Sequence, residues 1–143
     1  MKRTLIILIV SVLSLSAQSD KFLKIPSENL KSIHLVLKDQ FSGSRIETYD
    51  LEADKYIEFI AALNKASEAP NLKMNITCYR FEIVYSDGRK IELATNGKGL
   101  GPTPVGYFIA NENLVLNYFP IKKERYCKPQ NPNHKKQGGS IGF

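Results

Sequence analysis

Residues 77–95 read TCYRFEIVYSDGRKIELAT, two runs of alternating apolar and polar residues on either side of one turn signal. Tyr79, Phe81, Ile83 and Tyr85 share a face of the first run, and Cys78, Arg80, Glu82 and Val84 the other. Ile91, Leu93 and Thr95 align in the second. A period of two over this length predicts a pair of half-buried strands. Their register follows from keeping the apolar faces on one side of the sheet. A two-residue Asp87-Gly88 turn sets Ile83 against Glu92. A three-residue Ser86-Asp87-Gly88 loop, with Gly88 in the left-handed region, instead sets Ile83 against Ile91 and Phe81 against Leu93, and is the expected one. It places Glu82 opposite Glu92 on the other face, a like-charge pair that Arg80 and Lys90 on the diagonals offset.

Downstream, NGKGLGPTPVG at 96–106 gathers four glycines and two prolines around Lys98. A phosphate-binding G-x-x-x-x-G-K-[ST] fails, because no Ser or Thr follows Lys98, and G-x-G-x-x-G fails at Pro102. Val105 to Ala110 then reads as a strand, so no helix N-terminus stands ready to meet a phosphate. The stretch reads as a long, stiff strand-to-strand loop, with Lys98, Leu100, Pro102, Val105 and Tyr107 as a candidate binding surface. A turn at NEN and a strand from Leu114 to Phe119 complete a four-strand antiparallel meander in this reading.

In such a meander the first strand starts, and the fourth ends, at the same end of the sheet, roughly 14 Å apart. The chain from Pro120 to Tyr126 reaches about 23 Å when extended, enough to return Cys127 to Cys78. One disulfide between these two cysteines is expected, as in an exported protein. There is no C-x-x-C, so neither a zinc knuckle nor a thioredoxin-like redox motif is written here.

Upstream, Asp50 reads as a helix N-cap with Glu52 and Asp54 in the first turn. Ala53, Tyr56, Ile57, Ile60 and Leu63, widened by Phe59, form an apolar stripe that predicts a helix over 51–66, ended by Pro70 and Asn71. Ser32 to Lys38 alternates as a strand, and Arg45 to Tyr49 returns across DQFSGS. Residues 18–31 read as a linker. Residues 1–17 combine Lys2 and Arg3, an apolar run from Leu5 to Leu15, and the small residues Ser14, Ser16 and Ala17, the pattern of a cleaved secretory signal peptide. The run is shorter than the about 20 residues that span a bilayer, so no integral membrane anchor is expected and the location is secreted or periplasmic.

The chain has 143 residues and is 43% hydrophobic, which fits one domain with a real core, over 32–127. Its net charge of +6 is unevenly placed. Between 18 and 120, twelve Lys and Arg face thirteen Asp and Glu, whereas the excess sits in the signal and from Ile121 onward, where a basic tail, 128–143, is expected to be disordered. Nucleic acid is therefore not an expected partner. Catalytic patterns are missing as well: His34 and His134 make no H-E-x-x-H, and there is no G-x-S-x-G. A Cys78–His34 nucleophile pair ends if Cys78 is oxidised, and Glu82 and Glu92 read as surface strand charges. No catalytic residue, metal or cofactor is expected.

The predicted fold class is α+β, a single helix on one face of an antiparallel sheet of about 5–6 strands, in the order β-(β)-α-β-β-β-β. That order is similar to the cystatin-like arrangement in topology. The Q-x-V-x-G hairpin of the inhibitory cystatins is absent and there is no Trp, so protease inhibition is not implied. The expected role is that of an exported small non-catalytic binding domain acting on a protein or cell-envelope ligand. The alternatives are a small envelope hydrolase and a small-molecule-binding module.

Overall fold

The computed structural model describes residues 22–72, 74, 77–103 and 106–129, so the signal-peptide reading, Val105 and the tail from 130 onward lie outside the described residues. Among the described residues seven strands and two α-helices follow one another: β1 (Leu30–Lys38), β2 (Arg45–Asp50), α1 (Tyr56–Asn64), β3 (Ser67–Glu68), β4 (Tyr79–Tyr85), β5 (Lys90–Thr95), β6 (Gly99–Thr103), β7 (Gly106–Ile109) and α2 (Leu114–Tyr118). The strands form one antiparallel sheet in the order β2-β1-β4-β5-β6-β7-β3. The protein is α+β as expected, with seven strands where five or six were predicted.

The opening hairpin takes the predicted register, with Ile83 opposite Ile91, Phe81 opposite Leu93, and Glu82 opposite Glu92. Gly88 has φ +91°, and its N–H donates to the Tyr85 carbonyl to close the turn. Ile33 and Leu35 of β1 lie opposite Ile83 and Phe81, so the apolar face continues across three strands.

The helices pack on that face. Phe59, Ile60 and Leu63 of α1 are buried, and the Phe59 ring meets Phe81, Tyr118 and Phe119 edge-on. The stripe is rotated from the predicted one: Phe59 stands at its centre and Ile57 is 63% exposed. Asp50 is not the N-cap. It ends β2, and a 3-10 turn (Ala53–Lys55) preceded by Glu52 leads into α1 instead.

The meander has four strands, and the strand expected over Val105 to Ala110 is present as β7, now the fourth of the set instead of the third. The glycine-rich stretch supplies β6, and α2 replaces the strand expected at Leu114–Phe119. Asn113 decides the second point, since its side-chain carbonyl accepts the Leu116 N–H and caps the helix. Leu114, Val115 and Phe119 then point into the core, a helical set rather than an alternating one.

The segment read as a linker is part of the fold from Phe22 onward. Leu23 and Ile25 are buried, and Ile25 exchanges two hydrogen bonds with the Asn64 side chain, of 2.7 and 2.9 Å. At the other end the exposed Lys128 donates its N–H to the Arg125 carbonyl and Pro129 is buried, so the fold runs two residues into the predicted tail. Cys78 and Cys127 form a disulfide with Cα atoms 5.5 Å apart, and the Cys127 N–H donates to the Tyr79 hydroxyl at 2.9 Å. Among the described residues no helix is long and apolar enough to cross a membrane.

Candidate functional site

The residues singled out in the 96–106 stretch do not form one surface. Leu100 is fully buried in the core, Lys98 and Pro102 are exposed, Tyr107 is half-buried, and Val105 lies outside the described residues. The glycines serve packing. Gly97 has φ +104°, its N–H donates to the Thr95 hydroxyl, and its carbonyl accepts the N–H of Leu114. An added Cβ there would stand 2.5 Å from the Tyr126 hydroxyl and 2.6 Å from Asn113. Thr95, fully buried, spends its own hydroxyl proton on the Gly99 carbonyl.

Polar chemistry concentrates on the sheet face opposite the helices, where register places Ser32, His34 and Val36 of β1 beside Arg80, Glu82 and Val84 of β4, and these beside Lys90, Glu92 and Ala94 of β5. Glu82 is the centre. Only 3% exposed, it accepts from Arg45 through both carboxylate oxygens at 2.8 and 2.9 Å and from Arg80 at 2.8 Å, with the Lys90 ammonium at 3.4 Å. Lys90 also pairs with Glu92 at 2.8 Å. The predicted offset of the Glu82–Glu92 repulsion by Arg80 and Lys90 is thus present, with Arg45 reaching over from β2 as a third cation. Burial pushes the Glu82 carboxyl up, but the hydrogen bonds from Arg80 and Arg45 outweigh it and hold the group below its ordinary range. The hydrogen bond from Lys90 lowers Glu92 and raises Lys90. Val36, opposite Arg80 and Thr48, is fully buried although it stands outside the core cluster, as when long charged side chains lay their stems across a sheet.

His34 links Ser32 and Asp50 on the same face, its Nε2 2.9 Å from the Ser32 hydroxyl and its Nδ1 2.6 Å from the Asp50 carboxylate. The order of groups is that of a nucleophile, base and orienting acid. Yet β1 is paired on both sides, which commits its N–H groups to the ladders, and Asp50 is 78% exposed in its side chain. The chain of bonds reads as a surface clasp between β1 and the end of β2.

Two features escaped the sequence reading. Phe41 is 99% exposed at the tip of the β1–β2 hairpin. The turn beneath it is tied by Asp39, whose carboxylate accepts the N–H groups of Phe41 and Ser42, each at 2.9 Å, and whose carbonyl accepts that of Gly43. The second is a cleft of about 330 Å³ where the β2–α1 connection meets α2, walled by Asp50, Leu51, Glu52, Lys55, Asn117, Tyr118, Phe119 and Pro120. Burial, then the charges of Glu58 and Glu112, push the Tyr118 hydroxyl up to about 12. A Phe in a polar turn carries no periodic signal, and a cleft built from segments far apart in the chain, 50–55 and 117–120, has no local one. Among the described residues no group of three or more His, Cys, Asp and Glu side chains is placed to hold a metal ion.

No family model matches the chain, and neither a curated protein nor a solved structure matches it.

Proposed function

We propose that the chain is an exported, non-catalytic binding domain whose ligand, a protein or another component of the cell envelope, docks on the sheet face opposite the helices. The Glu82 network is the observation that carries this reading. Five charged side chains are held by one another over a sheet that no described element covers on that side. Side chains already fixed lose little freedom on association, and a set pattern of opposite charges selects partners. Export is supported by the N-terminal pattern and by the disulfide, which belongs to oxidising compartments. The strand–helix–meander order, similar to the cystatin-like arrangement, supplies the bare face in this reading. A second reading, a small-molecule module, rests on the cleft beside Asp50.

The test places a photo-crosslinking amino acid at His34 or Val84 on the bare face, and at Ile57 on the helix side, in cells exporting the chain. Expected is one adduct of discrete mass from the face positions, none from Ile57, and its loss on Glu92→Lys. Adducts from Ile57 alone, or none from the face, would sink the reading.

A further inference from the structure

We infer that the chain pairs with a second copy of itself along the open edge of β2, with Phe41 of each copy seated in the cleft of the other. Three separate features lie along one strand. The first is the edge: among the described residues β2 pairs with β1 alone. The Leu51 N–H donates to the Ile33 carbonyl, and backbone direction alternates along a strand, so the N–H and C=O groups of Thr48 and Asp50 point away from β1. Such an edge is a template for another strand.

The other two features stand at opposite ends of that strand. The hairpin tip with Phe41 precedes Arg45, and the cleft begins at Asp50 and Leu51 where β2 stops. Two copies of β2 paired antiparallel about a two-fold axis at Thr48 bring the start of one strand to the end of the other. Counting residues across that axis sets Arg45 opposite Leu51 of the second copy, a wall of its cleft, so the turn that carries Phe41 comes to the end of β2 where that cleft opens. Arg45 keeps its hold on Glu82 across β1, so the register rests on the backbone edge and on the placement of Phe41 and the cleft at its two ends.

Size agrees too. A Phe side chain fits within about 330 Å³, against the walls made by Leu51, Tyr118, Phe119 and Pro120. Two such aromatic insertions remove roughly 300–500 Å² from water. The strand edges and cleft rims bring the total toward the roughly 1,000 Å² of a specific interface. Pairing would also join the two bare sheet faces into one surface, though the inference does not depend on the ligand proposed for that face.

Sedimentation velocity on the mature chain, from about 1 μM to about 200 μM, tests it. Expected is a dimer whose dissociation constant rises at least about 30-fold in Phe41→Ala, the effect of losing an anchor residue. Thr48→Pro removes an edge N–H that β1 does not use and should leave a folded monomer. A photo-crosslinker at position 41 guards against misfolding of that variant and should mark 51–55 or 117–120 of the second copy. A monomer throughout this range overturns the inference and leaves the cleft to a small ligand. A dimer indifferent to Phe41→Ala, or crosslinks to other segments, overturns it equally.

Discussion

Gly97 shows what a single residue settles here. Its positive φ is open to glycine at no steric expense, and the space a Cβ would need is held by Tyr126 and Asn113. Gly97→Ala should therefore lose about 2–3 kcal/mol in urea unfolding, from backbone strain and the displaced contacts together. Glu82 is the second such residue. Its folded carboxyl titrates below the ordinary 4.5, so the stability it contributes is present above that pH and is lost as pH falls through the lowered value. Glu82→Gln should cost about 2 kcal/mol near neutral pH, less than a fully buried pair because its cations are partly solvated. Below pH 4.5 the stability curve of this variant should run flatter than that of the parent, as read by denaturant midpoints across pH. Equal slopes would mean that Glu82 is not the group being protonated. Charge alternation in the sequence pointed to Arg80 and Lys90 as its neighbours, whereas Arg45 was invisible there because it reaches Glu82 from two strands away.

At the scale of elements, the β4–β5 hairpin was legible because two independent local signals agree, a period of two and a loop whose length sets the register. The α1 helix was legible for the same reason, although the face it buries was misjudged by one position, since Phe59 is chosen by the rings of Phe81 and Phe119 rather than by spacing. Residues 114–119 had no such agreement, because LVLNYF fits both a strand and a short amphipathic turn. The cap decides. Asn113→Ala should cost about 1 kcal/mol in thermal or urea unfolding, with Asn113→Asp retaining most of the stability. The strand β6 was hidden by its composition: glycine lowers strand propensity, yet Gly99 and Gly101 sit where Met74 and Tyr107 press against the backbone.

For the molecule as a whole, the disulfide spans 49 positions and ties the return path through α2 to the start of β4. Replacing both cysteines by serine should lower stability by about 4 kcal/mol in the chain-entropy account, measured by urea unfolding, with a steeper slope because the unfolded chain without the cross-link is more expanded. A change below about 1 kcal/mol would show that α2 and the contacts of Tyr126 with Tyr79 and Asn96 hold the return path by themselves. The sequence by itself determined the class of the fold, the central hairpin and its register, the main helix and the pairing of the cysteines. Those follow from short-range periodicity, turn chemistry and a reach that can be counted along the chain. Tertiary structure alone decided which glycines became a strand, which cation completed the Glu82 network, that Phe41 would stand free and that a cleft would open beside Asp50. Each of these depends on segments far apart in the chain, whose meeting is set by the packing of the whole core and by no local pattern.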